Sequence, residues 1–157
     1  MIVIADTTPL NYLVLIDIAD LLSALFAQVI IPRSVLNELR SSQAPEKVRQ
    51  WFLHCPDWLI VKDVQGADPT LIHLDLGERE VVTLAQELHA DLVLLDENRG
   101  RREALSRGFN VAGTLGLLDR AAAKGLINVP TAVSQLRQTT FRISPRLLNA
   151  LLDRHKS

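Results

Sequence analysis

The sequence contains a single cysteine, Cys55, among 157 residues. One thiol makes no intramolecular disulfide and no Cys-rich zinc site, so the composition fits a reducing, cytoplasmic setting. Charge of one sign is also missing. The 17 basic and 18 acidic residues leave a formal net charge of −1, which exerts no global attraction on a polyanion or a membrane surface. Any nucleic-acid partner must therefore be drawn by a local patch. Long apolar runs are absent as well: LLSALFAQVII (21–31) is interrupted by Ser23 and Gln28 and is shorter than the about 20 residues of a membrane span. The residues before Asp6 are strand-like and leave no room for the basic region and apolar core of a signal peptide. AGTLG (112–116) lacks the lysine and spacing of a phosphate-binding loop, and His54, His73, His89 and His155 form no metal-ligand pattern. With no repeat, low-complexity tract or Gly/Ser linker, the chain is expected to form one domain over 1–157, with a C-terminal helical tail from about residue 129.

At 48% hydrophobic residues the chain has enough apolar material for a core. Five short apolar runs read as strands: 2–5, VII (29–31), WLIV (58–61), LVLL (92–95) and NVAG (110–113). Between them lie segments of helical spacing, such as Val81, Ala85 and Leu88, or Leu117, Ala121 and Lys124 before Gly125. The alternation predicts an α/β fold with a parallel sheet covered on both faces. The tail reads as two further helices with Pro130 and Pro145 near their starts.

In VIADTTPLNYL (3–13) an aspartate stands where a buried strand gives way to a helix. Thr8 reads as the N-cap and Pro9 as the first helical residue. Asp6 then lies at the carboxyl end of a parallel strand, the edge at which open α/β sheets bind ligands. Asp96 ends LVLL in the same manner. Glu38 lies on a helix opened by Pro32, at the border of an apolar arc of Val35, Leu36 and Leu39. Glu78 opens the helix beginning GEREVV. Each acid also has a plainer explanation. Asp75 and Glu78 have the spacing of a capping box; Glu38 could be solvated, Asp96 could cap ENRGRREAL, and Asp6 could order its own turn. The gaps of 32, 40 and 18 residues between successive acids put each on a different element. If they converge, their repulsion calls for cations, and hard oxygen donors suit Mg²⁺ or Mn²⁺.

Here the sequence resembles a known family. IADTTPL is similar to the opening Asp-Thr-Ser/Thr motif of the PIN domain, VLNEL to its glutamate-bearing helix, and LVLLDENRGRREA to its late strand ending in aspartate. More narrowly, the stretch from LDLGEREVV to AAAKGLI resembles the DUF3368-like PIN family, often found as the toxin of bacterial and archaeal toxin–antitoxin pairs and related to the VapC ribonucleases. The resemblance runs from residue 2 to about residue 127. It implies a three-layer α/β/α fold around a central parallel sheet of four to five strands. It also implies a Mg²⁺- or Mn²⁺-dependent RNA endonuclease leaving a 5′-phosphate and a 3′-hydroxyl. Asp6, Glu38 and Asp96 match the family's catalytic, metal-binding acids. Glu78 stands where many members have an aspartate opening a helix, with Asp75 as the substitute. Thr8 matches a small hydroxyl residue that hydrogen-bonds within the cluster, and Asn98 could assist near Asp96. The implied partners are RNA, a cognate antitoxin and a second copy of the chain in a homodimer.

Arg99, Arg101, Arg102 and Arg107 follow Asp96 closely and form a candidate surface for RNA phosphates; the alternative is an ordinary solvated helix face. A haloacid-dehalogenase-like phosphatase would require a second aspartate at the position of Thr8. The stronger rival is a PIN-like domain that binds RNA or a protein partner with little turnover.

Overall fold

A computed structural model describes residues 1–156. Each apolar run becomes a strand: β1 (Val3–Ala5), β2 (Val29–Pro32), β3 (Leu59–Lys62), β4 (Leu92–Leu94) and β5 (Val111–Ala112). All pair in parallel, in the order β3-β2-β1-β4-β5. The sequence order reverses at β1, which registers Ile4 against Ile30 on one side and Val3, Ile4 and Ala5 against Leu92, Val93 and Leu94 on the other. Such a switch point opens a crevice beyond the carboxyl ends of the two diverging strands. Asp6 and Asp96 follow those two strands.

Nine α-helices complete the described chain: α1 (Thr7–Leu15), α2 (Leu21–Phe26), α3 (Arg33–Leu39), α4 (Glu46–Leu53), α5 (Leu76–Leu88), α6 (Asn98–Ser106), α7 (Thr114–Ala123), α8 (Val129–Arg137) and α9 (Pro145–Arg154). A 3₁₀ turn over Pro69–Leu71 precedes α5. The helices flank the sheet in a three-layer α/β/α arrangement, as the continuous apolar strands require of a sheet buried on both faces. Ile4, Leu13, Ile31, Phe52 and Leu92 are buried in the main core. Leu117 and Leu118 of α7, Leu136 of α8 and Leu151 of α9 join it, so these apolar residues of the second half serve the interior. Leu71, Leu74, Val82 and Ala104 form a smaller cluster under the 3₁₀ turn. Among the described residues no helix is long and apolar enough to cross a membrane.

The start of α1 differs from the expectation. Helix begins at Thr7, and Asp6 rather than Thr8 holds the N-cap position with extended backbone (φ −89°, ψ 175°). Pro9 is the third helical residue. Its missing amide is harmless there, because the first four helical N–H groups have no partner within the helix. The shift of one or two positions turns Thr7 toward the sheet edge.

Candidate active site

Asp6 is the hub of an acidic cluster. It follows the innermost strand, its amide donates to the Leu94 carbonyl at 2.9 Å, and only 6% of its surface is exposed. Burial pushes its pKa from 3.8 up to about 7. The Thr7 amide opposes that rise, while the charges of Asp75, Glu38 and Asp96 add to it.

Asp96 is held from across the crevice. Thr114, the first residue of α7, donates its amide to Oδ1 at 2.9 Å and its hydroxyl to Oδ2 at 2.7 Å. Capping of α6 is thereby corrected: Glu97 occupies that N-cap position, and Asp96 turns to the next strand's helix instead. Burial raises its pKa, and the two Thr114 bonds and the Arg101 charge oppose the rise. Gly113 permits this approach, since a Cβ there would stand 2.6 Å from Asp96 Oδ1.

Glu38 projects from α3 at the exposed rim. The Thr7 hydroxyl donates to its Oε2 at 2.8 Å. The Cβ direction of Gly77 points between the acids: that position lies 3.5 Å from Asp6 Oδ1 and 3.5 Å from Glu38 Oε2, so the two oxygens are no more than 7.0 Å apart. Glu78 enters from the first turn of α5 and is 5% exposed. Its capping box is only half made. Asp75 accepts from the Glu78 amide at 2.9 Å, but Glu78 Oε2 is buried with no hydrogen-bond partner. Burial, with the neighbouring Asp75 and Asp6, drives the Glu78 pKa well above the glutamate range.

The sheet edge thus gathers Asp6, Glu38, Glu78 and Asp96 from four different elements, with Asp75 beside them as a cap. The donors are all oxygen, two are buried carboxylates with raised pKa values, and one buried oxygen lacks any partner. That chemistry fits a hard divalent cation. As they stand, among the described residues, no three acidic, histidine or cysteine side chains meet closely enough to enclose an ion.

Comparison with known proteins agrees with this architecture. The family model DUF3368, a PIN domain, matches residues 2–157. The chain belongs to that family. The solved structure of a PilT N-terminus domain protein from the hyperthermophilic archaeon Sulfolobus solfataricus P2 is similar to it, with a TM-score of 0.57 and 19% sequence identity. The alignment covers 82% of this chain and 96% of that one, and at that identity the likeness speaks for the fold. No curated protein sequence matches the chain. PIN domains form a nuclease-like family and are generally dependent on divalent metal.

Other expected site residues of this PIN domain lie differently. Thr7, not Thr8, makes the hydroxyl bond within the cluster; Thr8 lines the cavity that Thr7 and Glu38 also border. Asn98 opens α6, is exposed and makes no hydrogen bond to Asp96 among the described residues. The arginines divide. Arg99 and Arg102 are exposed. Arg101 folds back to donate to the Leu95 carbonyl at 2.9 Å, beside Asp96. Arg107 is removed from any RNA surface, bonding Asp68, Gln86, Thr70 and Glu103. Sequence reasoning passed over Thr7 and Thr114. The only available signals were a second hydroxyl beside Asp6 and a Gly-Thr pair following the last strand.

Proposed function

We propose that this PIN domain is a Mg²⁺- or Mn²⁺-dependent RNA endonuclease acting as the toxin of a toxin–antitoxin pair. The observation that carries the reading is the buried Asp6 carboxylate, set at the topological switch point and ringed by Glu38, Glu78 and Asp96. A structural carboxylate in that position would be expected to have a cationic partner, whereas Asp6 has acids around it.

In this reading Asp6, Glu38, Glu78 and Asp96 are the catalytic acids and hold the metal. Bound there, Mg²⁺ or Mn²⁺ would polarise the phosphodiester and lower the pKa of a water molecule. Thr7 orients Glu38 and Thr114 orients Asp96, so two of the four acids are aimed before any ion arrives. Arg101 tempers the charge at Asp96, while Arg99 and Arg102 face solvent and are free to meet phosphate oxygens. No serine, cysteine or histidine is asked to act as nucleophile. A cytoplasmic setting, a cognate antitoxin and a homodimer complete the proposal, on the strength of the family resemblance.

The open arrangement of the acids favours a second reading, a domain that binds RNA or a protein partner and turns over little. Purified protein incubated with structured and single-stranded RNAs in Mg²⁺, Mn²⁺ or EDTA, beside Asp6→Asn, separates the two. Metal-dependent cleavage that the variant loses supports the nuclease. Metal binding without cleavage of any RNA supports the binding domain.

A further inference from the structure

Charge is unevenly spread along the chain. Residues 129–157 carry five basic side chains against Asp153 alone, whereas residues 1–128 carry twelve basic against seventeen acidic. A chain of net charge −1 therefore concentrates +4 on its last two helices. Two of those cations are engaged, Arg154 with Asp119 and Lys156 with Asp153, both at 3.2 Å. Arg137, Arg142 and Arg146 are exposed and form no ion pair among the described residues. Arg137 suits the last turn of α8, but Arg146 sits in the first turn of α9, where a cation opposes the helix dipole. Helix stability does not account for its position.

Two of these arginines flank, in sequence, residues that line a depression beside the acids: Arg137 precedes Gln138, and Arg142 follows Thr140 and Phe141. A cavity of about 280 Å³ begins at Thr7 and Glu38 and is walled by Asn11, Tyr12, Gln43 and Pro45. A second, of about 550 Å³, shares Pro45 and is walled on one side by Leu15, Ile16 and Asp17, whose charge is met by Lys47 at 2.7 Å, and on the other by Gln138, Thr139 and Thr140. Tyr12 joins the two: its hydroxyl lies 2.8 Å from Thr140 Oγ1, and its ring meets Phe141 edge-on with centroids 5.0 Å apart. Gln138, Thr139 and Thr140, between Arg137 and Arg142, thus line the farther of two cavities that meet at Pro45, and the nearer one reaches Glu38.

We propose that the α8–α9 connection, residues 137–146, is the track along which single-stranded RNA reaches the acidic edge. Arg137, Arg142 and Arg146 engage successive phosphates, and the two cavities accept unstacked bases. Asn11, Gln43 and Gln138 each offer both donors and acceptors to base edges. Recognition of this kind suits single strands, whose bases are free to leave the stack. The inference rests on the RNA endonuclease reading.

The test is binding of a short fluorescent single-stranded RNA in EDTA across a salt titration. It compares the wild type with Arg137→Gln/Arg142→Gln/Arg146→Gln and with a control, Lys62→Gln/Arg120→Gln, with melting curves confirming that all fold. The triple variant should bind about tenfold more weakly, and the slope of log K against log salt should flatten by about 2, at roughly 0.7 per phosphate contact. An unchanged triple variant, or an equal loss in the control, overturns the track. So does a triple variant that keeps RNA but loses poly-glutamate, which would assign the surface to an acidic protein partner. Wild type that binds RNA through these arginines but cuts none leaves the track standing and removes the nuclease. Wild type that cuts RNA with the triple variant unaffected in binding does the reverse.

Discussion

Thr114 grips both oxygens of Asp96 from the start of the next helix, amide to Oδ1 at 2.9 Å and hydroxyl to Oδ2 at 2.7 Å. Because the pair bridges β4 and α7, it fixes one acid at the switch point without using any residue near Asp96 in sequence. Thr114→Val keeps the shape and the amide bond but removes the hydroxyl. We expect Mg²⁺ or Mn²⁺ affinity to fall by about tenfold to a hundredfold, as for other residues that orient metal-binding carboxylates. Stability should fall by about 1 kcal/mol through the lost hydrogen bond. Calorimetric metal titration and thermal melting measure the two effects separately.

The two adjacent threonines after Asp6 should behave unequally. Thr7→Ala frees Glu38 from its only side-chain hydrogen bond among the described residues, so metal affinity and RNA cleavage should drop about tenfold or more. Thr7→Ser should restore most of the loss. Thr8→Ala should leave metal affinity close to wild type, since Thr8 lines the same cavity as Thr7 and Glu38 but makes no side-chain hydrogen bond among the described residues. Equal effects of the two alanine variants would contradict the geometry of α1.

This contrast shows where the sequence was legible. Asp6 and Asp96 each end a continuous apolar run, and a strand period places them at one sheet edge without ambiguity. Which of Thr7 and Thr8 faces the cluster depends on where the helix starts; an offset of one residue rotates the side chain by about 100°. Thr114 lies 18 residues beyond Asp96 and reaches it only because β5 pairs with β4, a tertiary fact with no local signature. The arginines of α6 and its C-cap look alike in a row, yet Arg101 and Arg107 find internal acceptors while Arg99 and Arg102 do not. Local spacing describes a helix face well and says little about which cation the rest of the fold will claim.

Arg107 gives the matching prediction on stability. Its guanidinium holds Asp68 of the 3₁₀ turn, Gln86 of α5 and Glu103 of α6 together. Arg107→Ala leaves Asp68 and Glu103 half-buried and deprived of a charged donor, so the protein should lose about 1 to 3 kcal/mol. Asp68, now held well below the ordinary aspartate range by Thr70, Gln86 and Arg107, should titrate higher. RNA affinity and its salt dependence should not change. A flattened salt slope would instead return Arg107 to the RNA surface.

Gly100 of α6 packs against the acid that enters from α5. A Cβ there would meet Glu78 Oε2 at 2.7 Å and Leu95 Cδ2 at 2.8 Å. Alanine normally strengthens a helix interior by up to about 1 kcal/mol over glycine. Here overpacking should reverse the sign, giving a net loss of about 1 to 3 kcal/mol, and should displace Glu78 from the cluster. Chemical denaturation reads the first effect and metal titration the second. A stabilised Gly100→Ala would mean that Glu78 has room to move away freely.

In EDTA, stability should depend on pH through Asp6. Below pH about 4 the carboxyl is neutral in both folded and unfolded chains. Between 3.8 and about 7 the unfolded chain gives up a proton that the folded chain retains, so the folded state binds more protons and loses stability as pH rises. Above about 7 both forms are ionised and the penalty is constant. The charges of Asp75, Glu38 and Asp96, which face Asp6, add to the effect of its burial and raise its pKa further. Asp6→Asn carries no such ionisation. In EDTA at pH 8 it should therefore be more stable than wild type by on the order of 2 to 4 kcal/mol, with the gap closing near pH 4. Saturating Mg²⁺ should stabilise the wild type more at pH 8 than at pH 5, because the ion competes with protons for the same oxygens. Urea unfolding of both proteins at these pH values, with and without the ion, is the measurement. A gap that persists at pH 4 would assign the difference to packing around the amide and not to the buried charge.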